Sequence, residues 1–114
     1  MNIVNLTPHA IVLRDEGGND HAIPASGAVA RVSSTPGALE NVAGVPVPVA
    51  GRQTFGAVEG LPAPAEGTLY IVSALVLARC GDRDDVVGPG TGPNDGAVRN
   101  DKGHVVAVTR LVRG

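Results

Sequence analysis

A charged cluster followed by a glycine- and proline-rich loop, residues 82–93, holds the side chains best suited to binding chemistry. Arg83 carries a planar guanidinium that can hold a phosphate or carboxylate through two parallel hydrogen bonds. Glycines such as Gly90 let backbone N–H groups approach a ligand closely, and Thr91 adds a hydroxyl. Together with Asp85, these residues predict a site for a small anion. The alternative is a solvated turn in which Arg83 pairs with a neighbouring aspartate, because the loop matches neither the P-loop nor the G-x-G-x-x-G pattern.

A second candidate lies near the amino terminus, where Pro8 interrupts an apolar strand between Thr7 and His9. Proline has no N–H and restricts the preceding residue, so the strand should break there and hold His9 rigidly. His9 could then contact a ligand or act as an acid–base group. The simpler interpretation is a histidine that hydrogen bonds to a backbone carbonyl at a bulge. An acid–base role for His9, with Asp84 or Asp85, would make the protein a small hydrolase.

Ser73 separates a strand-like run from a helix-like run, a position that favours capping of the helix N-terminus. Its hydroxyl is also a candidate ligand contact. A nucleophile elbow requires G-x-S-x-G, and the flanking glycines are missing here. The three histidines lie far apart and Cys80 is the only cysteine, so no zinc spacing is present. We therefore expect no metal ion and no cofactor, and a binding protein rather than an enzyme.

These candidate residues are positioned by residues 67–93, which we expect to form the centre of the fold. Thr68–Val72 is rich in β-branched and aromatic residues and predicts a buried strand. Ala74–Arg79 predicts a short helix, after which the sequence becomes polar. Elsewhere valine-rich segments alternate with Gly and Pro, which number 16 and 9. This pattern predicts many short strands joined by turns.

The features above predict a mainly β fold with one short helix, in a single compact domain over residues 1–114. A small barrel and a two-layer arrangement both fit the pattern. The core must consist of Val, Ala, Leu and Ile, because the chain has one Phe, one Tyr and no Trp. The other predicted strands cover residues 2–7, 10–13, 21–24, 28–34, 52–58, 97–99 and 104–112.

Two segments bear on assembly. Val45–Val49 alternates valine with proline, so it should be an extended edge or polyproline-like segment rather than a central strand. His104–Val112 is almost continuously apolar, which is typical of a strand buried on both faces. We expect a second subunit to cover one of those faces. The protein is therefore predicted to be a homo-oligomer, most simply a twofold dimer.

Charge and targeting signals argue against several classes of protein. The net charge is −2 and Lys102 is the only lysine, so the basic stripe needed to bind a nucleic acid polymer is missing. The sequence contains neither a basic amphipathic helix nor a long apolar run, so it does not predict association with a membrane. The amino terminus lacks the basic region of a signal peptide, and a single cysteine is typical of the cytoplasm.

Three segments together resemble a family of small bacterial and phage proteins. They are Asn5–His9 (NLTPH), Gly67–Ser73 (GTLYIVS), and Arg83–Val86 with the loop Pro89–Pro93. The resemblance spans nearly the whole chain and implies a bacterial or phage source. By analogy with other small phage proteins, it implies an accessory role such as binding a host protein or a host nucleotide signal, which would suit an anti-defence protein.

The most specific expectation is a binding module that sequesters a nucleotide or a nucleotide-derived signal. The predicted contacts are Thr7, His9, Ser73, Arg83, Asp85, Gly90 and Thr91. Because the chain is slightly acidic, anion capture would depend on such local donors rather than on the overall field. Base stacking would fall to Tyr70, Phe55 or an arginine plane. The competing class is a protein-interaction or structural module without a ligand pocket.

Overall fold

The computed structural model describes all residues from Met1 to Gly114 and contains twelve short strands and one short helix. The mainly β class with one short helix, predicted from the sequence, is confirmed. No helix has the length and apolar character that crossing a membrane would require. The elements are β1 Asn2–Asn5, β2 Ile11–Arg14, β3 Asp20–Ile23, β4 Arg31–Thr35, β5 Leu39–Glu40, β6 Val49–Ala50, β7 Thr54–Glu59, β8 Thr68–Ile71, α1 Ala74–Leu77, β9 Val86–Pro89, β10 Val98–Arg99, β11 Val105–Ala107 and β12 Leu111–Val112.

A four-stranded sheet of order β1-β8-β9-β12 forms the centre of the fold. β1, β8 and β9 run parallel, whereas β12 is antiparallel to β9. Helix α1 connects β8 to β9, so the predicted central segment is a short β–α–β unit. Ser73 caps α1 as predicted, since its Oγ accepts a hydrogen bond from Val76 N at 3.4 Å. Gly88 allows α1 to approach β9 closely, because a Cβ there would lie 3.1 Å from Leu77 Cδ2.

The core lies around this β–α–β unit and is largely aliphatic, as the composition requires. It comprises Leu6, Ala30, Tyr70, Val72, Val76, Leu77, Cys80 and Val86. Burial raises the pKa of the Cys80 thiol, which suits packing rather than reactivity. Only 16 of 114 residues are buried, so most of the chain lies outside this core.

Four two-stranded ribbons surround the central sheet: β2–β3, β4–β7, β5–β6 and β10–β11. β2 and β3 form the hairpin predicted across the polar turn 15–20. β4 and β7 are the two sides of a longer hairpin, and β5–β6 continues it toward its tip. Residues 45–48, in the valine–proline run, belong to no strand and are exposed at that tip.

The carboxy-terminal segment differs from the single strand predicted over residues 104–112. β11 pairs with β10, whereas β12 pairs with β9, so the two halves belong to different sheets. The chain bends between them, where Thr109 Oγ1 donates a hydrogen bond to the Gly96 carbonyl at 3.1 Å. Val105 and Val106 are exposed in the single chain. Burial of this half on both faces would therefore require a second subunit.

Candidate functional site

Asn5, which was not among the predicted site residues, organises the region around Thr7 and His9. Asn5 is buried, with only 1% of its surface exposed. Its Nδ2 donates to the carbonyl oxygens of His9 (2.8 Å) and Ile23 (3.0 Å). Its Oδ1 accepts from Thr7 N (3.0 Å) and Thr7 Oγ1 (2.6 Å). Asn5 thus fastens the end of β1 to the next turn and to β3, with all its hydrogen-bonding groups in use.

Thr7 and His9 are placed by this turn in different environments. Thr7 is buried and its hydroxyl is bonded to Asn5, so it serves the fold. The His9 ring is exposed and makes no hydrogen bond within the chain, which leaves it accessible to a ligand. Neither Asp84 nor Asp85 forms a hydrogen bond or ion pair with His9, so the acid–base pair of the hydrolase alternative is not assembled.

All three guanidinium nitrogens of Arg83 donate hydrogen bonds within the protein. Its Nε and Nη2 donate to the two carboxylate oxygens of Asp85 at 3.0 and 2.7 Å, and Nη1 donates to the Pro62 carbonyl at 3.0 Å. The hydrogen bonds from Arg83 lower the pKa of the Asp85 carboxyl, and those to Asp85 raise the pKa of Arg83. The contacts match the alternative interpretation, a turn in which Arg83 pairs with an aspartate. An anion binding at Arg83 would have to displace Asp85.

The backbone amides of the glycine loop are also occupied. Gly90 N donates to the Arg110 carbonyl at 3.0 Å, and Gly92 N donates to Asp95 Oδ2 at 2.9 Å. The Thr91 carbonyl accepts from an arginine side chain, while the rest of the residue is exposed. The loop is therefore braced internally rather than open as an amide cradle.

The predicted residues divide between two edges of the central sheet. Because β1, β8 and β9 are parallel, the residues that follow them meet at one edge, the carboxyl edge. That edge holds Thr7, His9, Ser73, Gly90 and Thr91. Arg83 and Asp85 precede β9 and lie at the opposite edge, about 13 Å away along a four-residue strand. The structure thus separates the predicted cation from the other predicted contacts.

A cavity of about 430 Å³ opens between the β2–β3 hairpin and residues 108–111. This volume lies within the range of small-molecule sites. Its apolar walls are Ile3, Leu13, Ile23, Val108 and Leu111. Its polar residues are Arg14, Asp15, His21, Thr109 and Arg110. The cavity therefore combines an aliphatic interior with a charged rim.

An ion pair and a histidine–carboxylate hydrogen bond occupy part of that rim. Arg14 binds Asp20 through Nε and Nη2 at 2.7 and 3.1 Å. His21 Nε2 lies 2.8 Å from Asp15 Oδ2, and this hydrogen bond lowers the pKa of the Asp15 carboxyl. Both pairs are exposed, so they fix the rim more than they stabilise the fold.

Arg110 is the rim cation that no carboxylate neutralises. Its side chain is exposed, and its guanidinium makes no hydrogen bond or ion pair within the chain. Its stem passes directly against Gly90, where a Cβ would lie 2.7 Å from Arg110 Cγ. Gly90, predicted to expose an amide, therefore contributes to this cavity by leaving room for the arginine.

The sequence carried only a weak signal for Arg110. The residue interrupts the apolar run HVVAVTRLV, and an arginine in such a position predicts only the polar face of a strand. Its place beside Gly90 depends on the pairing of β12 with β9, a long-range contact that local patterns do not specify. The β2–β3 hairpin, by contrast, was readable from its turn, although its role as a cavity wall was not.

No group of three or more His, Cys, Asp or Glu side chains is arranged to hold a metal ion. Comparisons of the chain with protein-family models, with curated proteins and with solved structures gave no match.

Proposed function

We propose that this protein is a binding module for a small anionic ligand held in the cavity between the β2–β3 hairpin and residues 108–111. The observation that supports it is the unpaired guanidinium of Arg110 at the rim of an aliphatic cavity of about 430 Å³. An anionic head group would accept hydrogen bonds from Arg110, and an apolar body would lie against Leu13, Ile23 and the other walls. His21 and Thr109 lie on the same rim, where His21 Nε2 is bonded to Asp15 and the Thr109 hydroxyl donates to a backbone carbonyl, so Arg110 is the main donor proposed for the anion.

Nucleotides and nucleotide-derived signals are the ligand class that we propose. A phosphate would bind Arg110 and the base would lie on aliphatic side chains. The two aromatic residues are occupied elsewhere: Tyr70 Oη donates to the Ala63 carbonyl at 3.4 Å, and the Arg79 guanidinium lies 4.0 Å from the Phe55 ring centroid. Recognition of the base would therefore depend on shape and rim hydrogen bonds rather than on aromatic stacking.

The proposed setting follows from composition and from the family resemblance. A chain with one cysteine and no basic stripe suits a cytoplasmic protein that captures a small molecule rather than a nucleic acid polymer. In a bacterium or an infecting phage, such a module would act by sequestering a signal, as a homo-oligomer.

Thermal unfolding in the presence of nucleotides, cyclic dinucleotides and ADP-ribose derivatives tests the proposal. A ligand at a hundred times its dissociation constant adds about 2.7 kcal/mol of stability to the folded state. We expect Arg110→Ala to abolish the shift in Tm. Arg31→Ala, which removes an exposed arginine outside the cavity, should retain it.

Arg83→Ala separates the two candidate cations. A shift in Tm that survives Arg83→Ala but not Arg110→Ala supports the cavity. The proposal is wrong if no compound in the panel moves the transition, or if Arg83→Ala removes the shift while Arg110→Ala leaves it intact.

A further inference from the structure

Residues 36–53 form a hairpin tip that is apolar and exposed; we name this segment the arm. Every residue of the arm except Gly37 is exposed, and Glu40 and Arg52 are its only charged residues. Leu39 is 69% exposed and Val47 is 62% exposed, with three further valines exposed beside them. Soluble monomers rarely present so continuous an apolar patch, and such patches mark interaction sites.

The overall dimensions indicate that the single chain is more extended than a packed domain of the same length. Its radius of gyration is 17.4 Å, whereas a packed domain of this length has a value of about 13 Å. Its accessible surface is 7613 Å², which exceeds by roughly 1,800 Å² the area expected for a monomer of 11.4 kDa. A stable subunit interface removes about 800 Å² or more from each partner. The excess therefore matches the area that a subunit buries in an intimate oligomer.

The same chain carries an apolar groove suited to the arm. A cavity of about 180 Å³ lies between β2 and β11, and no charged residue lines it. Val105 and Val106 form one wall and are both exposed. Valines 45, 47 and 49 alternate with prolines, so they present branched side chains at a regular spacing on an extended segment that lacks alternate N–H donors. Aliphatic side chains of this kind fit an uncharged groove of this size.

We propose that the arm binds a second copy of this chain, with its tip in the partner's groove between β2 and β11. Both halves of the contact are present on every copy, so two chains can exchange arms around a twofold axis and satisfy each other. The near absence of charge on the arm and in the groove favours an aliphatic partner surface over an acidic or basic one. The exchange would also cover the face of β11 that the single chain leaves exposed.

The molar mass of the full-length protein, measured by light scattering after size exclusion at micromolar concentration, tests this proposal. We expect wild type to be a dimer, and both Val47→Asp in the arm and Val106→Asp in the groove to be monomers. Val47 and Val106 are exposed, so the far-ultraviolet circular dichroism of both variants should match wild type. Leu75→Asp is the matched control, because Leu75 is an equally exposed apolar residue on α1, outside both surfaces, and should leave the dimer intact.

Mixing the two monomeric variants provides the decisive measurement. The Val47→Asp chain keeps its groove and the Val106→Asp chain keeps its arm, so one contact per pair survives. We expect dimer mass to return in part when the two are mixed at high concentration. A monomeric wild type, a dimer that either variant leaves unchanged, disruption by Leu75→Asp, or a mixture that stays monomeric would overturn the proposal.

Discussion

Arg83 and Arg110 differ in what their guanidinium groups contact. Arg83 donates hydrogen bonds to the Asp85 carboxylate and to the Pro62 carbonyl. The side chains of Arg83 and Asp85 are only 22% and 21% exposed. Arg110 has no such partner and stands at the rim of the apolar cavity. Of these two arginines, the sequence predicted only Arg83 as a donor to an anion, and only the three-dimensional neighbours distinguish a structural arginine from an available one.

Asn5 gives the clearest prediction for stability. We expect Asn5→Ala to lower the free energy of unfolding by about 3 kcal/mol, because Thr7, His9 and Ile23 together lose their hydrogen bonds to this buried side chain. Asn2→Ala in the same strand removes an exposed side chain and should change stability by less than about 0.5 kcal/mol. Urea denaturation of both variants gives the comparison. Equal stability of the two would show that the Asn5 network contributes little.

The pH dependence of stability follows from three aspartates that accept hydrogen bonds from basic side chains. Hydrogen bonds from Arg83, His21 and Arg14 lower the pKa values of Asp85, Asp15 and Asp20 respectively. A carboxyl with a lowered folded-state pKa contributes stability above its unfolded pKa, and that contribution disappears as the pH falls through the folded-state value. We therefore expect the urea midpoint to be level near neutral pH and to fall below about pH 4. Asp85→Asn should flatten this acid limb, whereas Asp82→Asn, at an exposed aspartate without an ion pair, should not. If the urea midpoint of Asp85→Asn falls at acid pH as steeply as that of wild type, Asp85 does not contribute to the pH dependence.

At the scale of elements, the sequence was most informative where structure is local. The strand, cap and helix from Thr68 to Leu77 follow from β-branched residues, a capping serine and an apolar run, and the structure contains all three. The hairpin turn at residues 15–19 was readable for the same reason. The site was less readable, because Arg110 meets the cavity only through the pairing of β12 with β9. Likewise, the bend at Thr109 depends on the distant Gly96 carbonyl.

The junction between β9 and β12 yields a prediction at this scale. In Gly90→Ala the new Cβ would lie 2.8 Å from the Arg110 carbonyl and 2.7 Å from its Cγ, so the chain must shift. We expect a loss of about 1–3 kcal/mol in unfolding free energy together with weaker ligand binding, since the Arg110 side chain would be displaced. Gly81→Ala is the control, because its Cβ would meet only an ordinary contact at 3.8 Å. Wild-type values for Gly90→Ala in both measurements would contradict a close contact between Gly90 and Arg110.

At the scale of the whole molecule, the small core and the large surface have one origin. A chain built from Val and Ala, with few aromatics, packs one β–α–β unit well and leaves its hairpins as thin ribbons. These ribbons create two apolar-walled concave surfaces, a polar-rimmed cavity beside β2–β3 and an uncharged groove beside β11. The first suits a small anion and the second suits an aliphatic segment, so the two proposed activities can be lost independently.

We propose that Arg110 and its cavity bind the ligand. The most direct measurement is a titration of the isotopically labelled full-length protein with the nucleotide panel, followed by amide and arginine Nε chemical shifts. We expect at least one compound to shift His21, Val108, Thr109 and Arg110, and Arg110→Ala to abolish these changes. Spectra that no compound alters, or changes centred on Arg83 and Asp85 with the cavity residues unmoved, would contradict the claim.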